Sequence, residues 1–117
     1  MTPYQLEERS TVSERVIVVD VTGELDLTNA REVEDRLEEL SDGTGSSLVL
    51  DLNRVVFIDS AALHVLFRMA RRLGKERFGI VIEPTAAVAR TLAIVAIDEV
   101  ATIVESAGAL PVPLSPE

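Results

Sequence analysis

The stretch Val55-Val56-Phe57-Ile58-Asp59-Ser60-Ala61-Ala62-Leu63 decides how this chain is read. A short apolar run ends in Asp-Ser, and a helical pattern starts at once. Leu63, Leu66, Phe67, Ala70 and Leu73 recur at i, i+3, i+4, i+7 and i+10, which puts them on one helical face. Ser60 reads as the N-cap, because its hydroxyl suits an orphan N–H of the first turn. It also lies at the positive end of the helix dipole, where an added anion meets N–H donors. The hydroxyl is therefore either a plain cap or a phosphate acceptor, and a short motif leaves both open.

Working outward, Leu48-Val49-Leu50-Asp51-Leu52 is a strand-like apolar run that Asn53-Arg54 should break before Val55. Val16-Ile17-Val18-Val19-Asp20-Val21 is nearly all β-branched, the mark of a strand buried on both faces. Gly23 should end that strand, leaving Glu24-Leu25-Asp26 as a loop. Thr28 or Asn29 then caps a first helix, with Asn29 and Glu32 spaced as a capping box. Ala30, Val33, Leu37 and Leu40 form its inward stripe, and a Glu-rich solvated face lies opposite. Tyr4 to Arg9 reads as a charged edge strand, followed by a polar turn at Ser10 to Glu14. Asp42-Gly43-Thr44-Gly45-Ser46 is a loop that lacks the Gly-Lys-Ser/Thr of a phosphate cradle.

On the other side, the second helix runs to about Leu73, with Gly74 as its left-handed C′ residue. Phe78 to Ile82 is a third central strand. Pro84-Thr85 opens a third helix that turns Val88, Leu92 and Val95 inward. Ile97 packs behind it, and Ala101 to Val104 is a last strand. Prolines 111, 113 and 116 predict a mobile, dispensable tail from Gly108 to Glu117. The order β-β-α-β-α-β-α-β predicts an α/β domain: a mixed, mostly parallel sheet of about 4–5 strands with helices packed on it. The whole of 1–117 reads as one domain with its core at about residues 4–104.

Composition narrows the function. Hydrophobic residues make up 47% and aromatics 3%, so aliphatic side chains must fill the core. The absence of cysteine removes disulfide and thiolate chemistry and suits a reducing cytoplasm. No apolar run is long enough to span a bilayer and no signal peptide is evident, so no membrane partner is expected. Net charge is −9, and residues 1–59 carry all of it, with 14 Asp/Glu against 5 Lys/Arg. Such a chain is a poor ligand for nucleic acid. The cluster Arg68, Arg71, Arg72, Lys75 and Arg77 reads as a solvated helix face near a helix C-terminus, with no aromatics to stack bases.

Little supports catalysis. His64, the single histidine, lies one helical turn past Ser60. A nucleophile also needs an orienting third group and oxyanion donors, whereas Ala61 and Ala62 follow Ser60. A solvated His64 is the expectation. Asp26, Asp51 and Asp59 are the carboxylates that strand ends could gather for a Mg²⁺ ion. Asp51 is more simply a strand residue met by local donors, and neither a metal nor a cofactor is expected.

Val21-Thr22-Gly23-Glu24-Leu25-Asp26 before a capped helix resembles the Gly-Glu-Leu-Asp motif of the STAS family, as in bacterial anti-sigma factor antagonists. Leu48–Leu52, then Val56-Phe57-Ile58-Asp59-Ser60-Ala61-Ala62-Leu63, resembles that family's strand and its Asp-Ser-Ser/Thr-Gly-Leu segment. The resemblance implies a switch protein and not an enzyme. It assigns Ser60 as the acceptor of phosphate from an anti-sigma factor that is also a serine kinase. A serine phosphatase would reset it, and the free protein would be a cytoplasmic monomer. It also gathers Asp26, Asp59, Ser60, Ala61, Ala62 and His64 at the partner-binding end. Ala61, Ala62 and His64 depart from the family's Ser/Thr, Gly and second Gly, and the added bulk of Ala62 and His64 should narrow the choice of partner. The alternative is a STAS interaction module that is not phosphorylated, serving as a scaffold or a transporter's regulatory subunit.

Overall fold

The computed structural model describes residues 1–9, 16–41 and 46–106. The expected turn at Ser10 to Glu14, nearly all of the Asp42–Ser46 loop and the tail from Gly108 lie outside the described residues. Described strands are β1 (Tyr4–Arg9), β2 (Val16–Leu25), β3 (Ser47–Ile58), β4 (Phe78–Val81) and β5 (Thr102–Val104). Between them come α1 (Ala30–Ser41), α2 (Ser60–Leu73), α3 (Ala89–Ile94) and a single 3₁₀ turn at Ile97–Glu99. The sheet follows chain order, β1-β2-β3-β4-β5. β1 runs antiparallel to β2, and the remaining neighbours are parallel. This is the mixed sheet that the alternation of strand and helix patterns predicts.

Strand period explains the two buried faces. Val19, Leu50 and Ile80 lie side by side in register and share one core with Val33 and Leu37 of α1 and Val65, Leu66 and Met69 of α2. Val18 and Val49 alternate to the other face, where they join Val16 and Val81 in a smaller cluster. The buried stripe of α2 is Ala62, Val65, Leu66, Met69 and Ala70, so it is rotated from the expected one. Leu63, Phe67 and Leu73 pack at its margin. Gly74 closes α2 at φ 86°, and its N–H donates to the Ala70 carbonyl at 2.7 Å.

Three boundaries differ from the sequence reading. Gly23 does not end β2. At φ 95° it carries the strand beneath Pro3, whose carbonyl oxygen would stand 2.5 Å from an added Cβ. Asn53-Arg54 does not break β3, because irregularities in the β2–β3 register absorb the polar pair. Asn53 is held twice, through its own N–H to Asp51 Oδ1 at 3.0 Å and from Glu83 N–H to its Oδ1 at 2.7 Å. The third helix starts at Ala89 and not at Pro84-Thr85. Residues Glu83 to Ala89 form successive turns, and Val88 at the helix start supplies no side-chain cap.

Candidate functional site

The two motifs meet because β2 and β3 end together. Register shifts between Asp20/Thr22 and Gly23/Glu24 advance β3 until Leu25 pairs with Ile58. Asp26 and Asp59 are the next residues on each chain. A backbone bond from Asp59 N–H to the Leu25 carbonyl, 3.1 Å, ties the two exits. The same irregularity leaves Val56 and Phe57 exposed on the extension of β3 past β4.

Asp59, and not Ser60, is the N-cap of α2. Its backbone is extended at φ −106° and ψ −177°, and its Oδ1 accepts the Ala62 N–H at 3.0 Å. Aspartate and serine cap equally well, so the residue that stays extended takes the role. Ser60 thus becomes the first helical residue, with its side chain exposed. The other oxygen of Asp59 accepts the Leu27 N–H at 2.9 Å, so one carboxylate joins α2 to the loop after β2.

That loop is organised by Asn29, which is fully buried. The expected capping box with Glu32 is absent, because the Asn29 amide turns backward. Its Oδ1 accepts the Asp26 N–H at 3.0 Å, and its Nδ2 donates to the Thr2 and Glu24 carbonyls at 3.0 and 2.8 Å. Glu32 instead accepts the Tyr4 hydroxyl. Asp26 is saturated by neighbours: Oδ1 takes the Thr28 N–H and hydroxyl at 2.9 and 2.6 Å, and Oδ2 takes the Thr2 hydroxyl at 2.5 Å. The Thr2 hydroxyl first, then that of Thr28, hold the Asp26 carboxyl below the ordinary aspartate value.

Beside Ser60, an open groove of about 490 Å³ runs between α1 and α2, with Leu27, Ala61 and His64 on its walls. Leu27 at its mouth is 77% exposed. Farther along, Arg68 grips Glu34 with two bonds of 2.8 and 2.9 Å, and Arg72 reaches Glu38 at 2.7 Å. The Glu-rich face of α1 is therefore partly paired with the basic face of α2, and Arg68 lowers the pKa of Glu34. His64 is exposed, as expected. Ala62 is only 3% exposed and faces the core, so its place among the partner-facing residues is corrected. The carboxylates considered for Mg²⁺ do not converge. Asp51 lies on the far sheet face, bound to Arg9 at 2.7 Å beside the Arg9–Asp20 pair. Among the described residues no group of three or more His, Cys, Asp and Glu side chains could hold a metal.

Thr2, Leu27 and Asn29 are site members that sequence reasoning missed. Leu27 did leave a signal, an apolar residue stranded in a polar turn and off the helical stripe. The STAS domain model matches residues 9–109. The chain belongs to the STAS domain family.

Among its relatives is the Anti-sigma-F factor antagonist RsfB of Mycobacterium tuberculosis, 33% identical over 67 residues. That match takes in 56% of this chain and 55% of the relative, so the chain spans about half the length of the curated relatives it matches. An anti-sigma factor antagonist from Mycobacterium paratuberculosis superposes with a TM-score of 0.78 at 27% identity, over 91% of this chain and 89% of that one. The unphosphorylated form of the anti-sigma factor antagonist SpoIIAA gives 0.63 at 17% identity over 91% of both, a likeness of fold. No helix among the described residues is long and apolar enough to cross a membrane.

Proposed function

We propose that this STAS domain is an anti-sigma factor antagonist controlled by phosphorylation of Ser60. One observation carries the reading: Asp59 caps α2, which leaves the adjacent Ser60 hydroxyl exposed and released from capping. The names of the mycobacterial relatives support the partner class. In the reaction, Ser60 Oγ attacks the γ-phosphorus of ATP held by a partner serine kinase. An Oγ–P bond forms, the bond to the ADP oxygen breaks, and the hydroxyl proton passes to a base on the kinase. A serine phosphatase returns the hydroxyl by hydrolysis. Asp26, Asp59, Ser60, Ala61 and His64 form the face offered to the partner, with Ala62 supporting it from below.

Phosphate adds about −1.5 to −2 charge at pH 7. The start of α2 offsets part of it, by roughly 0.3–1 kcal/mol for an exposed site, so the fold should persist. A partner surface shaped for a neutral hydroxyl would instead face an unpaired dianion, at about 2–5 kcal/mol. The test titrates wild type, Ser60→Ala and Ser60→Asp calorimetrically into a recombinant anti-sigma-F factor, and assays phosphate transfer from labelled ATP. Ser60→Ala should bind without accepting phosphate, and Ser60→Asp should bind weakly yet melt near the wild type. Equal affinity for wild type and Ser60→Asp would sink the reading. Binding without any phosphate transfer to wild type would favour the module that is not phosphorylated.

A further inference from the structure

We infer that Asp59 is a positioning residue that couples the charge at position 60 to Leu27; the inference rests on Ser60 being the switch. The two oxygens of the Asp59 carboxylate divide their work. Oδ1 accepts Ala62 N–H in the first turn of α2, and Oδ2 accepts Leu27 N–H across the junction, at 3.0 and 2.9 Å. A carboxylate is planar and rigid, so both bonds depend on one orientation of one group. A negative charge on the next residue acts on that orientation in two ways. It repels the carboxylate, and it competes for the same N–H donors of the first turn.

Leu27 receives the consequence. It is the most exposed large apolar side chain of the described residues at the site, and it stands at the mouth of the groove beside Ala61 and His64. Its neighbours are tethered independently of Asp59, since Asp26 and Thr28 are bonded to Asn29 and Asp26. The backbone bond from Asp59 N–H to the Leu25 carbonyl likewise needs no carboxylate. Loss of the Asp59 bond therefore frees the Leu27 peptide alone. A pinned leucine presents apolar surface at little ordering cost, and a loosened one does not. Phosphorylation then weakens the partner face twice, through charge at Ser60 and through release of Leu27.

The experiment follows the Leu27 amide by ¹H–¹⁵N NMR in the labelled full chain, without a partner. Asp59→Asn keeps one accepting oxygen and exchanges the other for a donor, so the cap can survive while the bond to Leu27 is lost. Ser60→Asp places charge at the switch. In both variants the Leu27 amide should exchange roughly tenfold faster and lose its carboxylate-bonded downfield shift. Leu63, whose N–H donates to the Asp59 carbonyl at 2.9 Å, should stay protected, and Ser60→Ala should leave Leu27 as in wild type. Unchanged exchange at Leu27 in Ser60→Asp overturns the coupling, even if Ser60 proves to accept phosphate. A response at Leu27 supports the coupling, even if no kinase acts on Ser60 and the functional reading fails.

Discussion

At the β2–α1 junction the polar groups are consumed inward, whereas at the β3–α2 junction one of them is left outside. Asp26 spends both oxygens on Thr28 and Thr2, and Asn29 spends its whole amide on backbone groups around it. Asp59 spends its oxygens on the start of α2 and on Leu27, and the next residue presents a bare hydroxyl. The first junction is a clamp and the second is a display. The difference follows from length. Three residues, Asp26 to Thr28, separate β2 from Asn29, enough to fold a polar turn; β3 and α2 are separated by Asp59 alone. A one-residue turn can build a cap but cannot hide the next side chain.

The sharpest way to break this contrast is to remove the clamp. Asn29→Ala strips the partners from part-buried backbone groups of Asp26, Thr2 and Glu24. A fully buried group left unmet costs about 1–3 kcal/mol, and water reaching these part-buried groups should relieve part of the sum. A loss of about 2–3 kcal/mol is expected in urea unfolding. A loss below about 0.5 kcal/mol, typical of plain surface changes, would mean that the junction does not depend on Asn29.

The display side should respond more mildly, and in a way that separates packing from surface. Ala62→Gly removes a methyl that faces the core and adds backbone entropy, for about 1 kcal/mol of lost stability. It should leave partner affinity unchanged, because Ala62 offers no surface. His64→Gly should shift affinity, since the imidazole stands in the groove with Leu27 and Ala61. Calorimetric titration and a thermal melt on both variants check this. If Ala62→Gly alone altered affinity, the inward assignment of its side chain would be wrong.

Sequence patterns carried the sheet because each central strand is a dense apolar run, and buried strands have little else they can be. Proximity of Asp26 and Asp59 was legible for the same reason, as parallel neighbours bring their exits together. The choice between Asp59 and Ser60 as cap was not legible, since both residues cap well and only the backbone decides. Asn53-Arg54 misled because a polar pair inside a strand looks like its end, while a bulge costs the pattern nothing. The late start of α3 was not legible because Val88, where the helix begins, carries no capping side chain, whereas Pro84-Thr85 had looked like an opening. Least legible was Thr2. Its bonds reach Asp26, Thr28 and Asn29, 24 to 27 positions away, and no local spacing encodes such a contact.

Thr2 also offers the finest test of the clamp. Its hydroxyl is the first cause of the lowered Asp26 pKa, ahead of Thr28. A lowered carboxyl pKa stabilises the folded state above the ordinary aspartate value, and the contribution is lost as pH falls through the folded value. The ordered loop should therefore outlast ordinary aspartate protonation on acidification and give way only below it. Thr2→Val keeps the shape of the side chain and removes the donor. Asp26 should then titrate at a higher pH, still somewhat lowered by Thr28, and the Thr28 amide should lose its bonded shift at that same higher pH. Thr2→Ser, which restores a hydroxyl, should return both midpoints toward wild type. The site is largely open to solvent, so the midpoint should move while the melting temperature at neutral pH barely changes. ¹³C carboxyl shifts of Asp26 across an acid titration read this directly. Identical midpoints for wild type and Thr2→Val would show that the clamp is closed by Asn29 and Thr28 without the N-terminal segment. The contrast between the junctions would then rest on the loop alone.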